Sequence, residues 1–213
     1  MTKRILFQGD SITDCGRSRD DFYGMGDGYP HLIKASLGME CPGEYEFINR
    51  GISGNRISDV YARIKCDGIN LKPDVFSLLI GVNDVWHEWE AQNGVDTPAF
   101  ERLYDLLLDT LQEALPETKI LLMAPFLTDG SATRDIPERE GKWHFFSTEV
   151  AARAAAVERV ANKHGVAFLP LQPLFDAAAR RYGAQAVTLD GVHPTALGHR
   201  LIADAWLEAY EKL

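Results

Sequence analysis

Cysteine is scarce in this sequence: three residues in 213, Cys15, Cys41 and Cys66, with no short paired spacing among them. An odd, scattered set argues against a disulfide framework and a thiolate zinc site, and it fits reduced thiols in a reducing compartment. Long hydrophobic runs are missing too. The N-terminal region offers only Ile5-Leu6-Phe7 before Gln8 and Gly9, too short for a secretory core segment or a membrane span, so cytoplasmic residence is expected. Positive charge is in deficit, with 22 Lys and Arg against 31 Asp and Glu, a formal net charge of -9. Such a surface on average repels phosphate backbones and anionic lipid, so neither nucleic acid nor membrane is an expected partner. No Walker A string occurs, and Gly24, Gly26 and Gly28 lack the strand-to-helix context of a dinucleotide fingerprint. His31, His87, His144, His164 and His199 show no metal-ligand spacing, so neither cofactor nor metal is expected.

What is there is ordinary globular material. Hydrophobic residues at 46% and charged residues at 25% leave no reason to expect disorder, and the length suits one domain over residues 1–213 with a sizeable core. Short apolar runs at Arg4–Phe7, Tyr45–Ile48, Val75–Ile80, Lys119–Met123 and Val166–Leu169 read as buried strands. Longer helical patterns separate them. From Thr97 and Pro98, apolar residues Phe100, Leu103, Leu107, Leu111 and Leu115 trace one face before Pro116 stops the helix; a second covers Phe146 to Lys163, with Gly165 as its stop; a last begins near Thr195. Strands alternating with helices predict an α/β fold: a three-layer α/β/α sandwich around a five-stranded parallel sheet, flavodoxin-like in its winding. The irregular stretches Cys15–Gly28 and Thr128–Lys142 are long enough to be functional loops.

In an open parallel sheet, ligands bind outside the carboxyl ends of the strands. Four islands fall at or after such ends: Gly9-Asp10-Ser11-Ile12-Thr13, Asn49-Arg50-Gly51-Ile52-Ser53-Gly54-Asn55, Gly81-Val82-Asn83-Asp84, and Asp190-Gly191-Val192-His193-Pro194 before the last helix. A Gly-Asp-Ser tripeptide alone is ordinary turn and cap chemistry. Together the islands supply what acyl transfer needs: Ser11 as a hydroxyl nucleophile, His193 as its base, Asp190 three residues earlier to orient the imidazole, and oxyanion donors in the backbone N–H groups of Ser11 and Gly54 and the side-chain amide of Asn83. Cys15 is close to Ser11 but has no evident base of its own, which makes it a core or rim residue rather than a second nucleophile.

These islands, in this order along the whole chain, resemble the SGNH or GDSL hydrolase family, with Ile12 where the first block usually has Leu. The resemblance gives Ser11, Gly54, Asn83 and His193 the four named family roles and makes Asp190 the third triad member. The longer strings Gly9 to Arg17, Arg50 to Asn55, Ile80 to Trp86 and Met123-Ala124-Pro125-Phe126 look like those of the intracellular bacterial acetylxylan esterases. That likeness implies a small acetylated sugar, a xylo-oligosaccharide, as substrate, and a homo-oligomeric assembly. Asp10, Tyr23, Trp86 and Trp143 are the expected substrate contacts, with Trp89, Phe145 and Tyr29 as further rings on or next to the predicted rim loops. Two rivals stay open here: a lysophospholipase or thioesterase, which needs a long apolar acyl channel, and a carbohydrate-binding protein that has lost the chemistry.

Overall fold

Five short segments whose side chains are apolar on both faces can only be strands covered on both sides, and the chain builds its sheet from them. In the computed structural model, which describes residues 2–137 and 140–213, they are β1 (Lys3–Gly9), β2 (Tyr45–Asn49), β3 (Val75–Leu79), β4 (Lys119–Met123) and β5 (Ala167–Leu169). The expected irregular stretch from Thr128 to Lys142 therefore lies partly outside the described residues, at positions 138 and 139. The strands are all parallel, in the order β2-β1-β3-β4-β5, with Phe7 opposite Asn49, Gly9 opposite Leu79, and Leu79 opposite Met123. That is the flavodoxin-like order.

Between and after the strands run α1 (Ser11–Asp14), α2 (Tyr29–Glu40), α3 (Ile57–Ala62), α4 (Ile64–Asp67), α5 (Val82–Ala91), α6 (Thr97–Ala114), α7 (Lys142–His164), α8 (Gln172–Tyr182), α9 (Ala184–Val187) and α10 (Ala196–Tyr210). Successive strand residues point to opposite faces, which divides the core in two. Ile5, Phe7, Val75, Leu79, Leu121 and Met123 pack against Tyr29 and Ile33 of α2, Phe175 of α8, and Ile202 and Trp206 of α10. Leu6, Phe76, Leu78, Ile120 and Leu122 face the other way, onto Ile57 and Val60 of α3, Phe100, Tyr104, Leu107 and Leu111 of α6, and Val157 and Val160 of α7. No helix of the described residues is long and apolar enough to cross a membrane.

Helices α3, α4, α5, α8 and α9 fall where the sequence named none, and α2, α6 and α7 differ from the expectation as follows. Helix α2 falls where none was expected, because Gly28 carries no capping side chain and the segment has only a weak amphipathic stripe to announce it. Helix α7 begins at Lys142, four residues ahead of Phe146, so that Trp143 and Phe145 stand in its first turn. Helix α6 is capped one residue earlier than expected, by Asp96, whose carboxylate accepts the Ala99 N–H at 2.7 Å.

Candidate active site

Ser11 is the first residue of α1, a single turn that starts two residues after β1 ends. The Asp10 carboxylate caps that turn by accepting the Ile12 N–H at 3.0 Å, which fixes Ser11 at its head. At the far end of the chain, the Asp190 carboxylate closes a turn of its own. One oxygen accepts the N–H groups of Val192 and His193 at 2.9 and 2.8 Å, and the other lies 2.8 Å from His193 Nδ1. The same turn is tied to the stretch after β4, where the Thr128 N–H donates to the Gly191 carbonyl and the Ala132 N–H to the Asp190 carbonyl, both at 2.8 Å. The pieces meet at Ser11 Oγ, 2.9 Å from His193 Nε2.

The tautomer follows from these partners. A carboxylate only accepts, so His193 Nδ1 carries a proton and Nε2 is left to accept the Ser11 hydroxyl proton. The Asp190 hydrogen bond raises the His193 pKa above its ordinary value; burial opposes the rise, and the Asp190 and Asp10 charges add to it. Burial pushes the Asp190 carboxyl up, but the bonds from the His193 ring and from the two backbone N–H groups outweigh it and bring it down to about 2. Asp190 is therefore an anion throughout the range where His193 titrates.

Three candidate donors come from three separate stretches of chain. The Ser11 N–H heads α1, where helix geometry leaves the first N–H groups without intrahelical partners. Gly54 follows β2 with φ at +83° and open space where a Cβ would stand, so glycine is needed there for its backbone conformation and not for room. Asn83, in the first turn of α5, is buried; its amide donates one hydrogen to the Asn55 carbonyl at 3.1 Å and has a second to offer.

The expected substrate contacts divide. Trp86, on α5 and partly buried, has its ring centroid 6.0 Å from that of His193, so it walls the site. Trp143 is exposed in the first turn of α7 and lines a cavity of about 660 Å³ between α7 and α8, to which Ser11, Asp190 and His193 do not contribute. Two of the expectations need correction. Asp10 is buried, at 1% exposure, and spends one carboxylate oxygen on the α1 cap, which leaves it behind the site and not facing a substrate. The Tyr23 hydroxyl donates to Glu46 at 3.0 Å, and Glu46 pairs with Arg4 near the amino end of the sheet, roughly 16 Å along β1 from Gly9. Tyr29 is in the core, bonded to Thr13, and Trp89 and Phe145 pack around Phe146.

Cys15 has a histidine neighbour after all: His199 Nε2 lies 3.4 Å from its sulfur. That ring accepts the Tyr29 N–H at Nδ1, so its proton sits on Nε2 and points at the sulfur, and the ring offers the thiol no basic nitrogen. Burial also pushes the Cys15 thiol up. Side chains without an assigned role hold the rim together, above all Asp14, Asn55 and Asp84; Asn55 and Asp84 close two of the islands and Asp14 directly follows a third.

Comparison with known proteins gives the chain its relatives. An acetylxylan esterase of Geobacillus stearothermophilus is 31% identical over 212 residues, covering 96% of this chain and 92% of that protein. The crystal structure of a candidate GDSL-like lipase from Parabacteroides merdae superposes with a TM-score of 0.87 at 35% identity, over 98% of this chain and 96% of that one. That of a catalytic mutant of Axe2, an acetylxylan esterase from Geobacillus stearothermophilus, gives 0.84 at 29% identity, over 98% and 95%. The sequence profile of the GDSL-like lipase/acylhydrolase family matches residues 7–201. Its span runs from inside β1 to inside α10 and encloses all four islands, and the chain belongs to that family.

Proposed function

We propose that this chain is a serine esterase that removes short acyl groups, acetyl foremost, from carbohydrate esters, with acetylated xylo-oligosaccharides as the substrate class. The observation that carries the reading is the unbroken hydrogen-bond chain from Ser11 Oγ through His193 to Asp190, at 2.9 and 2.8 Å. The substrate class rests on the acetylxylan esterase relative and on the Geobacillus structure described as an acetyl-xylooligosaccharide esterase, which is 30% identical over 97% of this chain.

In the proposed reaction His193 Nε2 takes the Ser11 proton as Oγ attacks the acetyl carbonyl. The negative charge that develops on the carbonyl oxygen is met by the Ser11 and Gly54 N–H groups and the Asn83 amide. His193 then gives its proton to the departing sugar hydroxyl, leaving an acetyl-Ser11 intermediate. Water, deprotonated by the same nitrogen, releases acetate and restores Ser11. Asp190 holds the imidazole in the working tautomer and balances the imidazolium charge.

A long-chain lipase or thioesterase would need an apolar channel leading to Ser11. The apolar walls around Leu127, Val150 and Ala154 belong to the cavity between α7 and α8, whose lining excludes Ser11 and His193. The reading takes residues 1–213 as one domain, acting in the cytoplasm as a homo-oligomer; the free thiols of Cys15, Cys41 and Cys66 support the reducing setting. Acetylated xylo-oligosaccharides incubated with the protein are expected to lose acetyl groups, seen by mass spectrometry, while p-nitrophenyl esters turn over fastest as acetate. Rates that climb from acetate to octanoate, or oligosaccharides that bind with every acetyl group retained, would overturn the reading.

A further inference from the structure

Gly54 sits on a span of five residues, 53–57, and both ends of that span are held by buried aspartate carboxyl groups. At one end Asp14 Oδ2 accepts the Ser53 N–H and the Ser53 hydroxyl, each at 3.0 Å, and also Arg19 Nη2 at 2.6 Å. Asp14 closes α1, the turn that Ser11 opens. At the other end the Ile57 N–H is shared between Asp84 Oδ1 and Oδ2, at 3.2 Å each. Asp84 stands next to Asn83 in the first turn of α5. Asp14 and Asp84 are 4% and 0% exposed.

From these contacts we propose that Asp14 and Asp84 are positioning residues for the oxyanion hole, each tying the Gly54 span to the element that carries another donor. The inference rests on the function proposed above. Its physical basis is that an oxyanion hole works only if its donors are fixed before charge develops. Ser11, Gly54 and Asn83 are distant in sequence, and a free loop bearing Gly54 would have to be ordered in every turnover.

Other contacts make the two attachments specific. Gly51 lies so close to α1 that a Cβ there would come within 2.4 Å of the Asp14 nitrogen, and its carbonyl accepts from Arg17 Nε at 2.9 Å and Arg19 Nη1 at 3.0 Å. Both arginines that bind this carbonyl also face Asp14, with Arg17 Nε 4.0 Å from its other oxygen. On the Asp84 side, the Asn55 carbonyl accepts the Asn83 amide, and Asn55 Oδ1 accepts Arg63 Nε at 2.8 Å. Arg56, inside the span, is held separately, its N–H by Asp59 at 2.8 Å and its Nη1 by the Asn93 carbonyl at 2.7 Å, so Asp14 and Asp84 fix the two ends.

The test uses the full-length protein and p-nitrophenyl acetate, with Ser11→Ala as the inactive reference. Asp14→Ala and Asp84→Ala are expected to lower kcat by about 10- to 100-fold with KM within about twofold, as a misplaced catalytic donor does. Asp14→Asn and Asp84→Asn keep an acceptor oxygen and are expected to stay within about fivefold of the parent, a rescue that loss of an ordinary surface contact would not show. On an Asn83→Ala background, Asp84→Ala is expected to lose less than it does alone, because the tie sets Gly54 relative to Asn83 and matters less once that amide is gone. Ser53 is exposed, so Ser53→Ala folds and removes one of the two bonds to Asp14; a roughly threefold lower kcat at unchanged KM is expected, and this variant decides the Asp14 arm if Asp14→Ala does not fold. Asp84→Asn decides the other arm in the same way, since a 10-fold loss there would contradict it. Parental kcat in folded Asp14→Ala and Asp84→Ala, equal losses in the Ala and Asn variants, or fully multiplicative effects with Asn83→Ala would overturn the proposal while leaving the esterase intact. A parent that does not hydrolyse the ester at all would instead overturn the function, and the positioning role with it.

Discussion

At the scale of single residues, the account turns on a hydroxyl, an imidazole and a carboxylate whose hydrogen-bond partners leave one consistent proton assignment. Nε2 of His193 must be free of its proton to accept from Ser11, so kcat/KM is expected to fall as pH drops through the His193 pKa. Because Asp190 raises that pKa, the midpoint lies above the ordinary 6.5. Asp190→Asn removes the cause and shifts the midpoint downward while kcat falls by roughly 10⁴-fold, a combination that a pH-rate profile reads directly. A midpoint that stayed in place would mean that the limb belongs to another group. Asn83→Ala deletes one donor but no proton carrier, so it should slow turnover by about 100- to 1000-fold and leave the midpoint where it was.

At the scale of elements, the helices matter for how they aim strand ends at one rim. Helix α10 does this for the Asp190–His193 turn, and its anchor is Trp206, fully buried, stacked against Tyr210 and beside Phe7, with its indole N–H donating to Ser77 Oγ of β3 at 2.9 Å. Trp206→Ala is expected to cost about 3–5 kcal/mol in chemical denaturation, with Trp206→Phe clearly milder. Equal and small losses in both would show that α10 is held elsewhere.

The strands were legible in the sequence because burial on both faces forces continuous apolar runs, and the helices α6 and α7 because their stripes are long. Helix α2 was not, since its hydrophobic pattern is weak and its start has no capping side chain. The late start expected for α7, which leaves Trp143 and Phe145 ahead of it, followed from beginning the helix at its first strongly apolar residue. Ser11, Asn83, Gly54, Asp190 and His193 could be picked out because acyl transfer demands those residue types after strand ends. Asp10 and Tyr23 were misread because a capping carboxylate and a tyrosine bonded to Glu46 look the same in sequence as residues facing a ligand. Asp14 and Asp84 gave no signal of their roles, which depend on contacts across 27 to 39 positions of chain.

At the scale of the whole molecule, two buried carboxyls set how stability depends on pH. Burial raises Asp84 to about 8 against the bonds from Ile57 and the charge of Arg153, with the Asp10 charge adding to the rise. Burial raises Asp10 to about 7 against its bond from Ile12 and the charge of His193, while Asp14 adds to the rise. Tyr104, also buried, faces Asp84 and is itself pushed far up. Each carboxyl holds its proton to higher pH in the folded chain than at the ordinary value of 3.8, so the folded state binds more protons across that window, and their contribution to stability falls as pH rises toward 7 or 8. Asp84→Asn removes one of these contributions, and its melting temperature relative to the parent should climb between pH 5 and pH 8. A difference independent of pH would contradict burial as the cause.

Covalent trapping shows whether Ser11 forms the acyl intermediate. An organophosphate ester should inactivate the protein in step with the appearance of one phosphoryl group per chain, located by peptide mass spectrometry on Ser11 and absent from Ser11→Ala. Inactivation with the label on another residue, or full activity surviving stoichiometric labelling of Ser11, would contradict the account.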